Sequence, residues 1–167
     1  MDGQPSTRLF LALWPEPGVR HLLTAWRDAW TWPKGAKPVG ADKLHVTLHF
    51  LGGVPSERLP ALLDGFAVPF EPFRLDLERA CVWHNGIAVL EPSSAPPQLA
   101  ALHARLADAL VALGLQPEAR PYRPHVTMAR RAGASTPACL PPVSWDVRGY
   151  ALVESKNGVY TVLRHYG

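Results

Sequence analysis

Two short stretches, His45-Val46-Thr47-Leu48 and His125-Val126-Thr127-Met128, each set an imidazole and a hydroxyl two positions apart. Residues two apart in extended chain leave the same face, and the apolar residues alternating with them give the pattern of a half-buried strand. Two such strands side by side would offer two titratable imidazoles and two hydroxyl donors to one cleft. Imidazole, with an ordinary pKa near ~6.5, can give or take a proton near neutrality, so the chemistry suggested is acid-base work on a phosphodiester. With 7 histidines in 167 residues and as many threonines, chance supplies only about 0.3 His-x-Thr triplets, so one copy says little and two say much more. The competing reading is two ordinary strands whose polar face meets water.

The elements that must position these strands form a faint repeat. Arg8 to Leu13 reads as a strand, and Pro15 to Trp30 carries Val19, Leu22, Leu23, Trp26 and Trp30 at helical spacing. A Gly, Pro and Lys-rich loop from Thr31 to Asp42 leads into the strand Leu44 to Phe50. In the second half Ile87 to Leu90 reads as a strand, and Pro97 to Leu113 as a helix with Leu99, Leu102, Leu106, Leu110 and Leu113 on one face and Gly114 as its C-terminal cap. A loop holding Pro117 and Pro121 then delivers the strand at His125. Aligning Phe10 with Val89 makes the two units differ in length by a single residue, which suggests two similar lobes facing each other across a cleft. Ser56 to Phe66 reads as a short helix and Phe70 to Trp83 as one strand or two. Ser144 to Glu154 and Val159 to His165 look like a hairpin turning at Asn157-Gly158.

Composition bounds the rest. At 167 residues and 47% hydrophobic content the chain can build one substantial core, and a single domain over 1–167 is expected. A net charge of +3 fits an anionic partner without resembling a polybasic coat. Cys81 and Cys139 are too few for a disulfide framework or a thiolate metal site. No secretory pattern and no apolar run of membrane-spanning length is present, so a cytoplasmic, soluble protein is expected. Nothing signals an oligomer, which makes a monomer the default.

Longer stretches around the motifs carry a resemblance. Arg8-Leu9-Phe10-Leu11-Ala12-Leu13, the run His45 to Val54 (HVTLHFLGGV), the run Tyr122 to Arg130 (YRPHVTMAR), and Leu152-Val153-Glu154-Ser155 followed by Tyr160 resemble the two-histidine (2H) phosphoesterase superfamily. Within it, the chain is similar to the RNA 2′,3′-cyclic phosphodiesterases of the LigT/ThpR type, also called 2′-5′ RNA ligases. The resemblance covers nearly the whole chain; Val68 to Pro96 matches only in general character, and His84-Asn85-Gly86 aligns with no family feature.

The resemblance implies an α+β fold of two pseudo-symmetric lobes, each an antiparallel sheet with flanking helices, around a V-shaped central cleft. It implies metal-independent hydrolysis of a terminal 2′,3′-cyclic phosphate on RNA, tRNA fragments among the candidate substrates, to a 2′-phosphomonoester, with no cofactor. Reversible 2′-5′ end-joining, or a cyclic phosphodiester on a small nucleotide, are the alternatives. By analogy with the family His125 is the general base and His45 the general acid, although the sequence allows the reverse. Thr47 and Thr127 would bind the phosphate oxygens. So would Arg130, for which strict alternation is an obstacle: it sets Arg130 opposite His125 and favours Arg131 unless a bulge intervenes.

Other residues invite smaller expectations. His49 shares the face of His45 on strict alternation, yet lies about 13 Å further along, too far to share a metal. Lys43 and Arg123 precede the two motifs symmetrically, as solvated residues or as attractants for RNA. Trp32, Trp83, Tyr122 and Phe10 are aromatic candidates for stacking a base, or core. His21, His84, His103 and His165 read as surface or structural.

Overall fold

A computed structural model describes residues 5–167; the first four residues of the expected domain lie outside them. In chain order the elements are strand β1 (Ser6–Leu13), helix α1 (Pro17–Ala29), strands β2 (Lys37–Pro38) and β3 (Val46–Pro55), helix α2 (Leu59–Gly65), strands β4 (Phe73–Leu77), β5 (Arg79–Val82) and β6 (Ala88–Glu91), helix α3 (Pro97–Ala112), and strands β7 (Val126–Arg130), β8 (Val143–Val147), β9 (Tyr150–Lys156) and β10 (Val159–Tyr166). Prolines open both long helices, where a missing N–H costs nothing. Gly114, at φ 79°, ends α3, and the N–H of Leu115 returns to the carbonyl of Leu110 at 2.8 Å.

Seven strands run in the order β10-β9-β1-β3-β7-β6-β5, with β2 on the free edge of β7, while β4 and β8 pair separately. The sheet is thin at its centre: β3 and β7 are joined through one residue pair, Val46 opposite Val126. Both valines are fully buried. Because the strands run antiparallel and meet at their N-terminal ends, this pair sits on a local pseudo-two-fold axis. One half is β9-β1-β3 with α1, the other β5-β6-β7 with α3.

The strands divide their side chains between two faces. Leu9, Leu11, Leu13, Val46, Leu48, Val126 and Met128 join the main core with the helix residues Leu23, Trp26, Leu99, Leu102, Leu106 and Leu110. On the opposite face of the first half, Phe10 and Ala12 form a smaller apolar patch with Ala151 and Val153. The helices therefore cover one face and leave the other as the cleft.

Both motif strands then break step at the same place. In β3, Thr47 pairs with Ala12 and His49 with Leu11, leaving Leu48 as an extra residue. In β7, Thr127 pairs with Val89 and Ala129 with Ala88, leaving Met128 as the extra residue. Burial repeats as well: positions 44–50 and 124–130 share one sequence of buried, half-buried and exposed residues. The register corrects the sequence alignment of the two halves: Val89 pairs with Thr127 as Ala12 pairs with Thr47, so the counterpart of Val89 is Ala12 and not Phe10. It also shows that Ser144 to Glu154 is not one strand. It divides at Arg148-Gly149 into β8 and β9, which belong to different sheets, and the hairpin is β9–β10 with Asn157 and Gly158 both at positive φ.

Two long loops cross between the halves. Lys37 and Pro38 pair with Arg130 and Ala129, and the Val39 N–H donates to the Met128 carbonyl at 2.8 Å. In return the loop before β7 lies against β3, where the Tyr122 hydroxyl donates to the Thr47 carbonyl at 2.8 Å.

Candidate active site

An antiparallel pair centred on Val46 and Val126 puts His45 across from Thr127 and His125 across from Thr47, all on one face. The four line one cleft of about 590 Å³. Each imidazole is anchored in the same way. The Nδ1–H of His45 donates to the Lys43 carbonyl at 2.6 Å, and that of His125 to the Arg123 carbonyl at 2.8 Å, both from two residues back. A carbonyl can only accept, so neutral rings carry their proton on Nδ1 and turn an Nε2 lone pair to the cleft. The Nε2 of His45 accepts from the Thr47 hydroxyl at 2.9 Å.

The surroundings of the two rings differ. His45 stacks on Phe10 at 4.9 Å and Trp14 at 5.8 Å, with the edge of Tyr160 at 5.7 Å. This apolar box removes water from the ring, and burial, with help from the nearby Arg20, His125 and Arg130, lowers its pKa to about 4 despite the Lys43 carbonyl. His125 is packed by the edge of Trp83 at 4.5 Å. Burial lowers its pKa too, with the Arg123 carbonyl and Glu91 acting upward and Arg123 and Arg130 downward.

The bulge at Met128 decides between the two arginines. One extra residue after Thr127 reverses the facing of the residues beyond it, so Arg130 points into the cleft with the histidines. Arg131 has a left-handed backbone, φ 53°, where the chain turns out of the strand and the next N–H bonds the Gly86 carbonyl. The matching bulge at Leu48 overturns the expectation for His49. It leaves the face of His45, becomes 95% buried and donates Nε2–H to the His103 carbonyl at 2.9 Å. Phe50, at the position equivalent to Arg130, is 58% exposed at the cleft.

The remaining expectations sort by location. Lys43 lines the cleft beside Lys37 and Arg120. Arg123 is instead committed to Glu91, with Nε–Oε2 2.9 Å and Nη2–Oε1 3.0 Å. Phe10 is buried beneath His45 and presents no free face to a base. Trp32 stacks on Trp30, away from the cleft. Tyr122 is stacked on His103, and His103 on His49, each at 4.0 Å, along a side pocket of about 380 Å³ that opens beside Thr47 and His125. Trp14 and Glu91 carry no sequence signal, because they come beside the histidine strands only through the pairing of β1 and β6 with their neighbours; Tyr160, part of the resemblance, arrives from β10 through its pairing with β9. Among the described residues, no group of three or more His, Cys, Asp or Glu side chains converges to hold a metal. No helix among them is long and apolar enough to cross a membrane.

Comparison with known proteins agrees with this architecture. Residues 14–159 match the family model of the 2′-5′ RNA ligase superfamily. An RNA 2′,3′-cyclic phosphodiesterase of Escherichia coli strain K12 is 32% identical, over 88% of this chain and 83% of that protein. A protein of the same description from Thermus thermophilus is 33% identical, over 95% of this chain and 89% of the relative. The crystal structure of Escherichia coli LigT complexed with 3′-AMP superposes with a TM-score of 0.82 at 30% identity, covering 96% of this chain and 97% of that one. An α+β sheet folded about two His-x-Thr strands, together with similarity over nearly the full length, establishes that the chain belongs to the 2′-5′ RNA ligase superfamily.

Proposed function

We infer that this protein is an RNA 2′,3′-cyclic phosphodiesterase that opens the cyclic ester to a 2′-phosphomonoester. The observation that carries this reading is the meeting of the two motifs at Val46–Val126. It turns two imidazoles, both locked at Nδ1, onto one cleft with Nε2 inward. The full-length relatives described as RNA 2′,3′-cyclic phosphodiesterases support the substrate class.

In the reaction His125 Nε2 takes a proton from water as the water oxygen bonds to phosphorus. The P–O3′ bond breaks, its electron pair stays on O3′, and His45 Nε2–H supplies the proton that makes the 3′-hydroxyl. His125 ends protonated and His45 neutral, and exchange with solvent resets both. When His45 is protonated its Nε2 no longer accepts from Thr47, which frees that hydroxyl for a non-bridging oxygen. Thr127 serves the opposite side, and the Arg130 guanidinium matches the growing oxyanion charge with paired donors. 2′-5′ end-joining would use the same steps in the same direction, a ribose 5′-hydroxyl replacing water as the nucleophile that gives its proton to His125 while P–O3′ breaks and His45 protonates O3′.

The substrate is an RNA end, tRNA fragments included, and the protein acts as a monomer of one bilobal domain in the cytoplasm. Two free cysteines fit a reducing compartment. The test is incubation in EDTA with an oligonucleotide ending in a 2′,3′-cyclic phosphate, beside His45→Ala and His125→Ala. A 2′-phosphate from the wild type and from neither variant is expected. A 3′-phosphate, or equal turnover by either variant, refutes the assignment.

A further inference from the structure

The two halves share a backbone but not the support behind their histidines. Two residues beyond Ala12 stands Trp14, and two beyond its counterpart Val89 stands Glu91. Trp14 lies against His45. Glu91 is a carboxylate on β6 with only 4% exposure, and three donors satisfy it: both prongs of Arg123, at 2.9 and 3.0 Å, and the Cys81 thiol at 3.2 Å. Burial pushes the Glu91 pKa upward, and the bonds from Arg123 and Cys81 outweigh it, so the group sits below the usual carboxylate range and is ionised.

Arg123 in turn grips His125 twice. Its carbonyl receives the His125 Nδ1–H at 2.8 Å, and its guanidinium lies 4.5 Å over Trp83, whose ring packs edge-on to His125 at 4.5 Å. Lys43, which occupies the corresponding place before His45, reaches across to the Tyr160 ring at 5.5 Å. The first motif thus rests on an aromatic box and the second on a buried anion.

We propose that Glu91 is a positioning residue that holds His125 in its role as the base, acting through Arg123. The inference rests on the phosphodiesterase reading for its meaning in catalysis, but its physical content is independent of it. A bidentate Arg–carboxylate fork fixes both distance and plane, so the Arg123 main chain and the Trp83 face are set together. The charges that act on His125 are Glu91 from β6, Arg123 from its own loop, Arg130 from its own strand and His45 from the opposite half, with Lys37, Lys43 and Arg120 along the same cleft and Glu118 in the side pocket. Glu91 is the anion paired with Arg123 and balances it. Without it the orphaned guanidinium would disfavour an imidazolium, and the base would accept a proton less readily. The same carboxylate makes the two histidines unequal.

Glu91→Gln keeps the size, removes the charge and leaves one acceptor oxygen where the carboxylate offers Arg123 and Cys81 two. Titration of the His125 ring nitrogens by NMR in the free protein is expected to move about one pH unit lower. The acid limb of the kcat profile should follow it, and kcat should fall about tenfold with KM within about twofold. Arg123→Lys, on the exposed side of the pair, keeps the positive charge and loses the fork. It should lower kcat several-fold with the His125 titration in place, and it tests the tether even if the Glu91 variant fails to fold. An unchanged His125 titration in Glu91→Gln, or an unaltered kcat in Arg123→Lys, overturns the proposal. Absence of turnover in the wild type would instead sink the phosphodiesterase reading, because the titration is read without substrate.

Discussion

Inorganic phosphate bound in the cleft is expected to raise the titration of His45 from about 4 to near neutrality. In the free protein the ring is stripped of water by Phe10, Trp14 and Tyr160 and faces the cations Arg20 and Arg130. At pH 7 only about one molecule in a thousand then carries the proton that a general acid must donate. One negative charge about 4 Å from Nε2 contributes about 4 kcal/mol at an effective dielectric near 20, close to a thousandfold in proton affinity. That is enough to bring His45 to about 7, so a bound phosphate anion would itself load this imidazole with the proton that the proposed acid must give. Two readouts test this: NMR of the imidazole nitrogens from pH 4 to 8 with and without saturating phosphate, and pH profiles with a cyclic-phosphate dinucleotide. The alkaline limb of kcat/KM, which reports the free enzyme, should lie below 6.5, and that of kcat near 7. A His45 that titrates near 6.5 in the free protein, or that ignores phosphate, would refute the reasoning and assign the proton elsewhere.

Two further outcomes are expected. His45 is neutral in the folded protein down to about 4, whereas the unfolded chain protonates it near 6.5, so unfolding takes up a proton between these values. Stability contributed by the buried neutral ring is complete above about 6.5 and declines as pH falls, by about 3 kcal/mol at pH 4; thermal melts of wild type and His45→Gln should converge in slope only above that window. Thr47→Val, Thr127→Val and Arg130→Lys should each lower kcat about 10- to 1000-fold, while Arg131→Ala stays within about twofold, as measured by single-turnover cleavage; equal losses for Arg130→Lys and Arg131→Ala would contradict the bulge argument.

The motif strands, both long helices and the final hairpin were legible in the sequence because each is set by local periodicity or turn chemistry: leucines at helical spacing in α3, prolines at helix starts, Asn157-Gly158 at positive φ. The bulges were not. A single extra residue leaves no mark in an apolar pattern that runs Val126, Met128, Ala129, and it took the pairing with Ala88 and Val89 to show which residue was surplus. The facing of His49 and Arg130 depended on that. Phe10 illustrates a second blind spot, since an aromatic at the edge of a cleft and one buried beneath the His45 ring look alike until neighbouring strands are placed. Glu91 is a third: its value depends on Arg123, 32 positions away.

Each half lays its long loop across the other half's histidine strand, Lys37–Pro38 stitched to β7 and Tyr122 hung from the carbonyl of Thr47. The halves are thereby interlocked. To gape, the cleft would have to unfasten both crossings along with the valine pair at its floor, and each crossing guards the strand that the other half needs. The width of the cleft is thus set by three fastenings that need no bound ester, which is preorganisation of its frame.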